Sequence, residues 1–190
     1  MIEKVSTARE WAARKNLVLK EIFTSMQELI DLAKGTEQKS LATLKPLEIL
    51  DFMIEDDDRQ WKEKWLAQAK QGHFFEILDS DYPSQEPHPV RKLPYKYSYR
   101  FLSRGDDRPR ELMIEDWELG ALFWRCLNKA GGDEQEANRL VRQKYLNEFR
   151  EKKDLYFFVG TSRRYHKVSP NPFMIIGVFY PPKTIQTSIF

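Results

Sequence analysis

Cysteine is nearly missing from this chain: Cys126 is the only one in 190 residues, so no disulfide framework can form within it. A lone cysteine inside an apolar helical pattern suits a reducing compartment and reads as a core residue rather than a nucleophile. Also lacking is any run of about 18 apolar residues, the length that marks a membrane-spanning helix. The polar N-terminus has no apolar signal-peptide core, so a cytoplasmic protein without a membrane partner is expected. Three histidines, His73, His88 and His166, are too scattered in sequence for a metal cluster. The chain contains no G-x-S-x-G elbow, Walker loop or dinucleotide fingerprint. No metal or cofactor is expected, and no catalytic residue is assigned. An excess of one charge is absent too: 31 basic against 29 acidic residues leave +2, which does not by itself mark a nucleic-acid binder.

Aromatic residues are abundant instead, with twelve Phe, eight Tyr and five Trp, ample for a packed core. Thr7 to Gly35 reads as one long helix, with capping-box spacing at Thr7 and Glu10 and Gly35 as its stop. Residues 36–45 read as a polar connector. Pro46 then begins a second apolar segment (Leu47, Leu50, Phe52, Ile54) read as helical and ended by Glu55–Asp58. A further helix is expected over Arg59–Gln71 and a short strand over His73–Leu78. Pro83, Pro87, Pro89 and Pro94 mark residues 79–94 as a linker loop.

Past the linker, Tyr95, Tyr97, Tyr99 and Phe101 alternate with Lys96, Ser98 and Arg100, the period of a half-buried strand. The Gly105-Asp106-Asp107 turn returns through Glu111 to Glu115 as a hairpin. Trp117–Ala130 is apolar nearly all round and is expected to be buried centrally. Gly131-Gly132 stops it, and Asp133 caps the next helix. Strands over Leu155–Val159 and Phe173–Tyr180 flank a loop at 160–172. The fold class is therefore α/β of the α+β type. It comprises a helical N-terminal region (1–78), the linker (79–94), a ββααββ domain with about four mostly antiparallel strands (95–180), and a C-terminal docking tail (181–190).

Charge is distributed unevenly. Seven basic residues lie between Arg91 and Arg110 against two acids, and nine between Asn138 and Lys167 against three. The loop Gly160–Lys167 combines small hydroxyl residues, three cations, an aromatic ring and a histidine at a strand end, where α/β domains place sites. Arg163, Arg164 and Lys167 would hold phosphates, and Tyr165 would stack on a base. With His166, Arg100, Arg139 and Arg142, these form the candidate nucleic-acid face; the alternative is a solvated basic loop. Glu111, Glu115 and Asp116 at a strand-to-helix junction offer a weaker alternative, a Mg²⁺-dependent nuclease site. Asp116 also fits a helix N-cap, with Glu118 in the first turn.

The chain ends Gln186-Thr187-Ser188-Ile189-Phe190 after Pro181-Pro182. This ending resembles the pentapeptide by which bacterial replication and repair proteins hold the β sliding clamp: Gln, a variable residue, Ser or Asp, Leu, then Phe. Thr187 stands where that pattern often has Leu, and Ile189 replaces its Leu. The resemblance covers these five residues alone. It implies a clamp partner, with Gln186 and Ser188 as polar contacts and Ile189 and Phe190 as apolar anchors. The expected function is that of an accessory protein of bacterial DNA replication, repair or mobile-element defence. It would bind nucleic acid or a nucleoprotein complex. A structural subunit of a larger nucleoprotein assembly and a metal-dependent nuclease are the alternatives.

Overall fold

Asp116 opens a helix where its sequence position suggests one: its Oδ1 accepts the Glu118 N–H at 2.8 Å. Asp133 does the same for the following helix, accepting from Gln135 and Glu136 at 2.9 and 3.2 Å. These caps satisfy amide groups that have no partner inside the helix. Between the two helices Gly131 and Gly132 take φ of +63° and +95°, a region a side chain would strain.

The computed structural model describes residues 7–63, 67 and 91–183. Along the chain these form α1 (Thr7–Val18), α2 (Met26–Lys34), β1 (Leu41–Leu44), β2 (Glu48–Asp56), β3 (Tyr95–Leu102) and β4 (Arg110–Met113). There follow α3 (Trp117–Lys129), α4 (Glu134–Arg142), a π-helical segment (Gln143–Glu148), α5 (Phe149–Lys152), β5 (Tyr156–Thr161) and β6 (Phe173–Phe179). The strands make two three-stranded sheets, β1-β5-β6 and β2-β3-β4. The fold is mixed α+β.

Four expectations need correction. The single helix over 7–35 is two helices, because Ser25 caps α2 through the Glu28 N–H at 3.4 Å and Phe23 bridges to Leu44 in extended form. Ile22, between the two helices, is 40% exposed. The segment after Pro46 is the strand β2, not a helix; short apolar runs do not separate the two by pattern alone. The polar connector contains β1, which pairs antiparallel with β5, Leu41 opposite Gly160 and Leu44 opposite Phe157. Finally, the ββααββ arrangement expected over 95–180 is not matched: the π-helical segment and α5 also stand between α4 and β5, and the four strands do not share one sheet. They divide between two sheets, each completed by a strand from residues 41–56. The expected strand at 73–78 lies outside the described residues, as do most of the helix at 59–71 and the loop at 79–94.

The chain divides into two compact units, Met1–Ile54 with Tyr97–Phe190, and Glu55–Lys96. In the first, aromatic rings fill the core. Tyr97, Tyr99 and Phe101 are at most 1% exposed, and Tyr99 stacks on Phe157 of the other sheet at 5.1 Å between centroids. Phe52 sits 5.3–5.6 Å from Tyr97, Tyr99 and Tyr145. Leu119, Phe123, Cys126 and Leu127 bury one stripe of α3, while Trp117 is 72% exposed. The helix is therefore amphipathic rather than enclosed on every side. In the second unit Asp57 gathers two lysines, Lys92 at 2.6 Å and Lys96 at 3.3 Å. The Lys92 contact foremost holds its carboxyl below the ordinary value.

Candidate nucleic-acid interface

Gly160 lies in the middle strand of its sheet, where a Cβ would meet Ile176 Cδ1 at 3.1 Å and Leu41 Cδ2 at 3.3 Å. That close approach lets β5 run to its end at Thr161, whose N–H bonds the Ser40 carbonyl at 3.0 Å. Beyond it the chain winds into helical turns. The Tyr165 and His166 N–H groups both reach the Ser162 carbonyl at 3.0 Å, and the Ser169 N–H reaches that of Tyr165 at 3.0 Å. The far side is tied down as well: Lys34 Nζ donates to the Pro170 carbonyl at 2.8 Å, and Asn171 Oδ1 accepts the Phe173 N–H at 3.1 Å. A loop bonded at both ends presents its side chains from a fixed backbone.

Those side chains sort into two groups. His166 turns inward, with Nδ1 2.7 Å from Thr161 Oγ1. Its Nε2 and the Ser162 Oγ are buried, and neither has a hydrogen-bond partner among the described residues. Arg163, Arg164, Tyr165 and Lys167 turn outward and are exposed. The Arg164 guanidinium lies over the Tyr165 ring at 5.4 Å, and Tyr165 is 48% exposed. Among the described residues no acid pairs with Arg163, Arg164 or Lys167.

The remaining candidate cations are differently placed. Arg139 makes two bonds to Glu136 one turn earlier on α4, at 2.6 and 2.7 Å. Arg142 reaches Asp51 at 2.6 Å and also donates to the Phe52 carbonyl. Arg100 is exposed on β3, directly opposite Glu111 in the β3–β4 ladder. Burial works against ionisation of Asp51, but Arg142, the Phe52 N–H and the Arg100 charge outweigh it and hold the carboxyl below its usual range. Arg142 is thus committed to Asp51, whose carboxyl also feels the Arg100 charge, and Arg139 is matched within its own helix.

Glu111, Glu115 and Asp116 are likewise engaged or apart. Glu111 accepts the Ser98 hydroxyl at 2.8 Å, and the second oxygen of Asp116 accepts the Val178 N–H at 3.2 Å. Glu115 is exposed, and its N–H bonds the Ile175 carbonyl at 2.7 Å. Among the described residues no group of three or more His, Cys, Asp or Glu converges as metal ligands would. Nor is any described helix long and apolar enough to cross a membrane. Gln186, Ser188, Ile189 and Phe190 lie outside the described residues.

Sequence reading missed a second basic locus. Lys45, immediately before Pro46, bonds Asp154 at 2.9 Å and Tyr156 Oη at 3.3 Å. Lys183, immediately after Pro182, donates to the Arg150 carbonyl at 2.8 Å. Nothing in the linear pattern joins residues 45 and 183; strand pairing does.

A family model described as a domain of unknown function (DUF8757) matches residues 22–190. The chain belongs to that family. No curated protein and no solved structure matches it. The DUF8757 match starts at Ile22, so α1 lies outside it, while the 162–168 turn and the second basic locus lie within it.

Proposed function

We propose that this DUF8757 protein is a cytoplasmic accessory factor of bacterial DNA replication, repair or mobile-element defence. It contacts nucleic acid through the turn at 162–168 and docks the β sliding clamp by Gln186–Phe190. One observation carries the nucleic-acid reading: Arg163, Arg164, Tyr165 and Lys167 are exposed together on a bonded turn, without an acidic partner among the described residues. Guanidinium and ammonium groups bind backbone phosphates, and the Arg164–Tyr165 stack offers a flat platform to an unpaired base. The clamp reading rests on the residue pattern of the tail.

The test is a salt titration of binding to labelled single-stranded and duplex DNA. Wild type should bind at low salt with an affinity that falls steeply as salt rises. Arg163→Glu with Arg164→Glu should weaken binding and flatten the slope by up to about two, roughly one for each phosphate no longer held. Equal affinity and slope for wild type and variant would exclude the turn.

A further inference from the structure

Away from that turn, the polypeptide closes around a concavity of about 300 Å³ beside the last described residues. Its floor is apolar: Ile49, Phe149 and Leu155 are each at most 8% exposed. Around the floor stand four cations, Lys45, Arg150, Lys153 and Lys183. Backbone bonds fix their spacing. Lys153 pairs with Pro182 in an antiparallel bridge, the Asp154 N–H reaches the Pro181 carbonyl at 2.8 Å, and the Lys183 N–H reaches that of Lys152 at 3.2 Å. Pro181 and Pro182 thus pin the chain against residues 152–154.

Two acids, Glu48 and Asp154, share the rim. Asp154 is already committed to Lys45 at 2.9 Å and to the Tyr156 hydroxyl at 2.9 Å. Arg150 and Lys153 have no acidic partner among the described residues, and Lys183 donates to a neutral carbonyl. Four cations thus stand against two acids around one hollow; the excess positive charge repels itself, and an anion relieves that repulsion. The volume stands at the lower limit for small-ligand sites, about 300–1,000 Å³. An apolar floor under a cationic rim suits an anion carried on an organic group rather than a bare ion.

We propose that this hollow binds a phosphate group borne on a nucleoside, presented by a free nucleotide or by a nucleic-acid strand, with Arg150, Lys153 and Lys183 as its phosphate ligands. Lys45 supports the site from behind: locked to Asp154 and Tyr156, it stays cationic and orders the rim. The site is separate from the 162–168 turn and does not depend on it.

Three probes are titrated at low salt against the full-length protein: inorganic phosphate, a nucleoside monophosphate and a 5′-phosphorylated hexanucleotide. Binding of the monophosphate is expected, more weakly matched by inorganic phosphate, if the source is a free nucleotide. Binding of the hexanucleotide alone assigns the site to a strand. In either case Lys153→Glu with Lys183→Glu should weaken binding by about tenfold or more, the equivalent of one charge-assisted hydrogen bond. Lys20→Glu with Lys129→Glu, two exposed cations outside the lining of the hollow, should leave the monophosphate affinity unchanged. Should the double reversal fail to fold, the milder Lys153→Ala and Lys183→Ala pair, with an unaltered melting temperature, should still bind more weakly. No binding of any probe overturns the proposal. So does wild-type affinity in the folded lysine variants, or an equal loss on changing Lys20 and Lys129.

Discussion

The Tyr99 hydroxyl donates to the Tyr145 carbonyl across 2.6 Å, joining the middle strand of one sheet to the π-helical segment after α4. A π-turn departs from the α-helical ladder, and here the strand supplies a donor to one of its carbonyls. Burial raises the Tyr99 pKa well above that of a free phenol, so the hydroxyl keeps its proton wherever the protein folds. Tyr99→Phe leaves that carbonyl buried without this donor. The expected cost is about 1–3 kcal/mol by urea denaturation; a change of a few tenths would show that the bond is dispensable.

Phe123 and Leu122 are neighbours with different burdens. Phe123 is fully buried, whereas Leu122 is half-buried. Phe123→Ala should cost about 3–5 kcal/mol, and Leu122→Ala about 2 kcal/mol or less. Equal costs in chemical denaturation would contradict the amphipathic placement of α3.

Asp106 should shape the acid limb of stability. Burial opposes its ionisation, but the Ser103 hydroxyl and the Arg110 guanidinium prevail and hold its pKa below the ordinary 3.8. The contacts are close, with Arg110 Nε at 2.6 Å and the Ser103 N–H at 2.9 Å. The unfolded chain therefore takes up this proton first as pH falls. The stabilisation is fully present above the unfolded value and disappears as pH drops through the lower folded one. Asp106→Asn should be less stable at neutral pH and lose stability less steeply below about pH 4. An unchanged acid limb would show that the carboxylate's charge is unimportant.

Tyr165 separates stacking from charge. Tyr165→Ala should weaken single-stranded DNA binding by about 1–3 kcal/mol and affect duplex binding much less, since paired bases are not free to stack. The slope of affinity against salt should stay the same, because no cation is removed. Equal losses on both DNA forms would remove the stacking role.

Local signals in the sequence carried the C-terminal half well. The alternation over residues 95–102, the Asp116 and Asp133 caps and the Gly131-Gly132 stop all depend on near neighbours, and each has its structural counterpart. Residues 19–25 and 36–56 were misread because tertiary pairing decides them. Phe23 is drawn out of a helix by its bridge to Leu44, and β1 exists through its ladder with β5. The candidate site divides the same way. Adjacent Arg163, Arg164 and Tyr165 were visible as a cluster. The pairing of Arg142 with Asp51, 91 residues apart in sequence, had no linear signature. Nor had the meeting of Lys45 with Lys183 around one cavity.

Clamp docking is the most specific property proposed for this protein, and a capture experiment addresses it directly. Immobilised bacterial β clamp is presented with the full chain and with a chain lacking Gln186–Phe190, while the melting temperature of each is recorded. Capture of the full chain is expected with micromolar affinity, about −8 kcal/mol. None is expected for the truncated chain, at an unchanged melting temperature. A truncation that lowers the melting temperature by several degrees, together with a full chain that the clamp does not retain, would instead make Ile189 and Phe190 core residues of this domain.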